Sequence, residues 1–271
     1  MLVDAAFDKT LRRDRLIVVI ALTTVIIVSW VYILSGAGMG ISAIDMTREN
    51  LSQDGMAGMA MMTPAVWAVD YIVLMIFMWW IMMIAMMLPS ATPMILLAAA
   101  LNRKSKSTHS PFGTTGAFTL GYLLAWAGFS AIAVAAQWAL QESALISGML
   151  RSTNAQLSAF LLLAAGVWQF MPWKQACLRH CRSPVEFLTH HRREGNGGAL
   201  LMGLHHGLYC LGCCWFLMAL LFVGGVMNLF WIIGLAAYVW LEKMFAHGER
   251  FARILGLILI IWGSLIIVGL I

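Results

Sequence analysis

Seven stretches of this 271-residue chain run apolar for long enough to cross a bilayer or nearly so, at about 16–38, 66–88 with a broken continuation to 101, 112–140, 153–173, 199–223, 226–241 and 254–271. About 20 such residues in helical form span roughly 30 Å of hydrocarbon. A soluble core cannot bury a chain that is 62% hydrophobic and 11% charged, with a mean hydropathy of +0.86. The runs show no period-2 alternation, and in lipid only helices and closed barrels satisfy every backbone group. The expected fold is all-α: a polytopic transmembrane helical bundle of about seven spans, forming one integral membrane domain over 1–271. Its longest connections, about 39–65 and 174–198, are too short to bury a core of their own, and no internal repeat is evident. The first span follows a polar stretch and is longer than a signal-peptide core, so it is expected to stay as an anchor.

Basic residues accumulate in cytoplasmic segments, and here they set an orientation. With the N-terminus inside, Lys9, Arg12, Arg13 and Arg15 precede the first span. Arg103, Lys104 and Lys106 fall in the second inner segment, Lys174, Arg179, Arg182, Arg192 and Arg193 in the third, and Lys243, Arg250 and Arg253 in the fourth. Of the 17 basic residues only Arg48 and Arg151 lie outside, which predicts an N-in, C-out topology. The net charge of +5 then belongs to inner loops beside an anionic leaflet and gives no reason to expect nucleic-acid binding.

Ligand-type side chains at membrane depth need a purpose, because hydrocarbon penalises unpaired polar groups. The fifth run contains HHGLYCLGCC, residues 205–214. At about 100° per residue, Met202, His206, Cys210 and Cys213 share one helix face, with His205 and Tyr209 on one flank and Cys214 on the other. Imidazole, thiolate and thioether together suit Cu(I), zinc or iron, and thioether favours the softest of these. Small Cys and Gly side chains also serve close helix packing, and that reading stands beside the metal one.

Methionine is the second signal, at 20 residues. Met75, Met78, Met82 and Met86 follow one stripe of the second span, with Met83 and Met87 beside it. The preceding outer segment DGMAGMAMM supplies Met56, Met59, Met61 and Met62. Thioethers bind Cu(I) in any compartment, so an outer cluster feeding a Met-lined helix suits capture and relay of a soft ion; methionine is equally good flexible packing material. The same helix meets Pro89 and Pro93 in LPSATP, which predicts a second span broken there, with Ser90 and Thr92 available to bond the freed carbonyls. In the third inner segment CLRHC places Cys177, His180 and Cys181 on one helical face, near His190 and His191, a partial soft-metal site in a reducing compartment. Asp70 and Glu242 sit at span ends where salt bridges are expected, and Lys243 is expected to snorkel to the headgroups.

Taken together, MMIAMMLPSATPMILL, CLRHCRSPVEFL, GLHHGLYCLGCCWFLMALLFVGGVMNLFWI and the downstream LEK resemble a bacterial family known as predicted metal-binding integral membrane proteins, a domain of unknown function. The resemblance covers about 66–265, leaving 1–65 as an added N-terminal span and Met-rich outer segment. It implies metal binding through Met82, Met83, Met86 and Met87 ahead of Pro89, Cys177 and Cys181, and His206, Cys210, Cys213 and Cys214. It also implies a bacterial inner membrane.

The expected function is binding, holding or transfer of a soft transition metal, copper above others, with the lipid bilayer, the metal ion and a metallochaperone or membrane cuproenzyme as partners. No G-x-x-x-x-G-K-[ST] motif is present, so any transport is expected to be passive, gradient-coupled or partner-driven. Two other readings remain open at this point. One is a thiol-redox enzyme using the C-x-x-C spacing of Cys210 and Cys213, or a haem protein using His205 and His206. The other is an assembly partner in which Cys and Met only pack.

Overall fold

The computed structural model describes residues 2–51, 66–104, 111–148, 150–183, 188, 193, 195–245 and 248–270. In chain order the helices are α1 (Leu2–Leu34), α2 (Ala43–Leu51), α3 (Val69–Lys104), α4 (Pro111–Glu142), α5 (Ala155–Trp168), α6 (Pro172–Arg182), α7 (Gly195–Ala219), α8 (Leu221–Gly224), α9 (Leu229–Met244) and α10 (Gly248–Ile267). Among the described residues the only β pairing is an isolated bridge between Ile146 and Ser152. The all-helical expectation therefore holds.

Among the described residues, five segments are long and apolar enough to cross a membrane: Arg15–Leu34, Val69–Leu101, Gly113–Glu142, Gly195–Gly224 and Gly248–Ile267. The expected fourth span is not straight. Asn154 caps the start of α5 by accepting from the Leu157 N–H at 3.0 Å, but α5 ends at Trp168, and the chain turns 64° into α6, whose first residue is Pro172. Counted with α6 as one bent span it makes a sixth. The remaining apolar stretch becomes α9, a helix of 16 residues, short of a full crossing by length alone. Its N-terminus is capped by the Asn228 side chain at the Phe230 N–H, and Thr47 of α2 accepts from the Leu229 N–H at 3.0 Å, tying the amphipathic α2 to the bundle.

The expected break at Pro89 and Pro93 does not occur: α3 runs through both prolines. Each proline removes the donor that would have reached the carbonyl four residues earlier, those of Ala85 and Pro89. Ser90 and Thr92 bond instead to the carbonyls of Met87 (2.8 Å) and Leu88 (3.0 Å), and the Tyr122 hydroxyl of α4 reaches Met87 O at 3.2 Å. Hydroxyls thus crowd the weakened turn, and the helix, buried on that side among its neighbours, continues.

The bundle centres on α7, which lies chiefly against α4 and α6, with smaller contacts to α5, α8 and α9. Its closest approach, to α4, depends on glycine. A Cβ at Gly203 would stand 1.9 Å from the Phe118 carbonyl oxygen, and one at Gly121 would stand 2.0 Å from the Leu200 carbonyl oxygen. Without side chains there, the two backbones meet and the neighbouring faces interlock, which is how helices associate where lipid supplies no hydrophobic contrast. Gly203→Val is expected to cost about 2 kcal/mol or more through forced separation of α4 and α7. Gly128→Ala, on the same α4 but with open space around it, should leave stability unchanged or raise it. Thermal unfolding in detergent measures both, and equal effects would refute the packing account.

Candidate metal centre

The predicted face of α7 is buried as a unit. Met202, His206, Cys210, Cys213 and Cys214 all point into the bundle, while Leu208 and Trp215 face outward. The i, i+3, i+4 spacing that places Cys210, Cys213 and Cys214 together also aims them at the junction of α3, α6 and α9. All five cysteines are free thiols.

Cys181, at the end of α6, comes within hydrogen-bonding reach of both Cys210 and Cys213. Cys177, one helical turn earlier, lies beside Gly212: its Sγ is 2.9 Å from where a Cβ on that glycine would stand, so the absent side chain admits the thiol. Cys177 and Cys181 are half-buried, and the three α7 cysteines fully buried. The CLRHC and HHGLYCLGCC motifs, separated in sequence, thus bring their sulfurs together. From α3, the Met87 Sδ lies 4.0 Å from the Cys214 Sγ.

Three residues that a search for metal ligands passes over complete the surroundings of Cys210. The Tyr122 hydroxyl shares a hydrogen bond with the Cys210 Sγ at 3.2 Å. Lys243 donates from Nζ to the Cys210 Sγ at 2.9 Å and to the Ser90 Oγ at 3.2 Å. The expectation that Lys243 snorkels to headgroups is therefore wrong: α9 turns this side chain inward, where a thiol and a hydroxyl accept from it. Glu242, expected at an interface, is also interior. It forms an ion pair with Lys174 of α6, both residues 0% exposed, and Lys174 also bonds the Gln169 Oε1. Two of the basic residues used to orient the chain are thus buried in the bundle.

His206 is buried beside Phe118 and Tyr122, its ring stacked at 6.1 Å and 5.7 Å centroid distance, and it interacts electrostatically with Cys210 and Cys213. His205 is half-buried on the adjoining face. His180 packs its ring against Tyr209 at 4.4 Å, and the Met202 Sδ accepts the Arg193 N–H at 3.3 Å. Met75, Met78, Met82, Met83 and Met86 are all buried in the α3 core, with Gln137 donating to the Met75 Sδ at 3.4 Å. Met56 and Met59, with Met61, Met62, His190 and His191, lie outside the described residues.

Among the described residues no three His, Cys, Asp or Glu side chains are grouped as a ready metal-holding shell. The geometry gives the reason. Cys213 and Cys214 both donate to the Cys210 carbonyl at 3.0 Å, so these thiols are engaged with backbone rather than arranged around a shared ligand position. Deprotonation on meeting a metal removes those donor bonds and frees the sulfurs to turn. The donor chemistry, thiols with a thioether and an imidazole in a buried enclosure, fits a soft monovalent ion better than a hard one.

Residues 76–266 match the family model PpoB2, described as a copper chaperone, a stretch that includes all five cysteines and the α3 methionines from Met78 onward. No curated protein and no solved structure matches the chain.

Proposed function

The chain belongs to the PpoB2 copper-chaperone family, and from that premise we propose that it is a multi-pass protein of a bacterial inner membrane that holds copper among α3, α6 and α7 and hands it to a protein partner. The observation that carries this reading is the convergence of Cys181, Cys210, Cys213 and Cys214, with the Met87 sulfur alongside, in the buried interior of the bundle. Copper is the cargo. Thiolates and thioethers select it in its cuprous form, and enclosure from water protects that form from exchange.

In this reading the chain crosses the membrane seven times with its N-terminus inside, α5 with α6 and α9 supplying the two shorter passages. The buried α3 methionines lead from the outer end of the span towards Met87, and the outer Met56 and Met59 collect the ion. The three α7 thiols, with His206 beside Cys210, hold it. Cys177 and Cys181 are half-buried where the others are enclosed, so they form the step at which copper enters or leaves on the inner side, with His180, His205 and Met202 on the approaches. The recipient is a metallochaperone or a membrane cuproenzyme.

Elemental analysis of the full chain, purified in detergent under reducing and copper-replete conditions, tests the reading. Near-stoichiometric copper is the expected result. A well-folded chain that carries none would overturn it and favour thiol-redox chemistry at the same cysteines.

A further inference from the structure

Lys243 is a buried cation with an unusual acceptor. It lies in the last turn of α9, is 6% exposed, and directs its ammonium to the Cys210 sulfur and the Ser90 hydroxyl. The other buried cation nearby, Lys174, is matched by Glu242. Those two charges cancel, which leaves Lys243, among the described residues, as the surplus positive charge bonded to the thiols. It interacts electrostatically with Cys181, Cys210, Cys213 and Cys214 together. A charge in an apolar enclosure is costly unless compensated, so the total charge around it is constrained.

We infer that Lys243 determines specificity by fixing the charge of the complex the chamber accepts: one monovalent soft ion held between two thiolates. The inference rests on the reading of the chamber as a copper site. Cysteines bind metals as thiolates, and their protons leave to solvent on binding. A monovalent ion between two thiolates carries one net negative charge, and Lys243 cancels it. A divalent ion between the same two thiolates is already neutral, and Lys243 then stands as an uncompensated buried cation. A divalent ion reaches balance here only by recruiting a third thiolate, which costs a further proton and requires Cys213 or Cys214 to turn from the Cys210 carbonyl to which both donate, whereas Cys181 of α6 already meets an α7 thiol across the helices. Two-coordination suits Cu(I) and Ag(I) and leaves a tetrahedral ion such as Zn(II) short of ligands.

The test is titration of the full chain in detergent with Ag(I), as a redox-stable cuprous mimic, and separately with Zn(II), each against a competing chelator. Lys243→Gln keeps hydrogen-bonding capacity without charge and should weaken Ag(I) binding about a hundredfold, the scale of one uncompensated charge at close range, with Zn(II) binding unchanged or tighter. Lys243→Arg should stay near the wild type. Ser90→Asp supplies a second route that keeps the lysine: a carboxylate against Lys243 cancels its charge in place and should shift the Ag(I)-to-Zn(II) ratio the same way. An unchanged ratio in whichever of Lys243→Gln and Ser90→Asp folds would overturn the inference while leaving copper binding intact. A folded wild-type chain that binds neither ion would instead overturn the copper reading itself and this inference with it.

Discussion

Lys174→Met should destabilise the folded chain by about 3–5 kcal/mol, because it strands a carboxylate inside the bundle. Glu242 is 0% exposed. Its Oε1 is held by Lys174 and, more distantly, by the Tyr238 hydroxyl at 3.4 Å, while its Oε2 has no hydrogen-bond partner. Removing the lysine leaves nothing positive bonded to that group and also frees the Gln169 side chain at the bend between α5 and α6. The double variant Lys174→Met with Glu242→Leu should recover most of the loss, since a buried pair exchanged for apolar side chains of similar volume is close to neutral. Thermal unfolding in detergent of both variants decides the matter: a single variant no less stable than the double would mean that the pair is not a buried ionic contact. The pair also fastens α6 to α9, and α6 carries Cys177 and Cys181. The single variant should therefore expose those two thiols to alkylating reagents at temperatures where the wild type protects them.

How much of this was legible from the residues depends on the range of the interaction involved. Apolar runs report a local property, whether a segment is content in hydrocarbon, so the helices of the bundle could be located from them. The α7 face was equally readable, since Cys210, Cys213 and Cys214 share a face by helix geometry alone. What local pattern does not carry is which faces meet. Lys174 pairs with Glu242 across 68 positions, Lys243 reaches Ser90 across 153, and Tyr122 reaches Cys210 across 88. A lysine at the end of an apolar run has the same sequence signature whether it snorkels outward or turns inward, and only the acceptors across the bundle distinguish the two. The approach of Cys177 to Gly212 is of the same kind, since a small residue permits a close contact without naming the segment that makes it. The prolines misled for a related reason. Their effect on α3 is a local destabilisation, and the surrounding helices outweigh it.

Replacing Cys210, Cys213 and Cys214 together with alanine should reduce bound copper from near-stoichiometric to background while the chain still folds. The two halves of that expectation have different physical origins. For the fold, each substitution removes one buried sulfur from a packed site, a loss of about 1 kcal/mol apiece for so small a group. Cys213 and Cys214 each donate to a backbone carbonyl that is already part of the helix, and their contacts across helices, Cys181 with Cys213 and Met87 with Cys214, are weak sulfur contacts that add little to the fold. Cys210 is different, since Lys243 and Tyr122 both lean on its sulfur. Of the three single variants Cys210→Ala should be the least stable, with the ammonium left on Ser90 alone. For the metal, the nearby donors that remain are Met87, His206 and the α6 pair Cys177 and Cys181, and without α7 sulfur no two of the described thiols face each other across helices. Circular dichroism and elemental analysis on one preparation separate the outcomes. A folded, copper-free variant assigns the ion to the α7 sulfurs. A folded variant that keeps its copper moves the site to the α3 methionines or the inner cysteines and removes the α7 chamber from the mechanism.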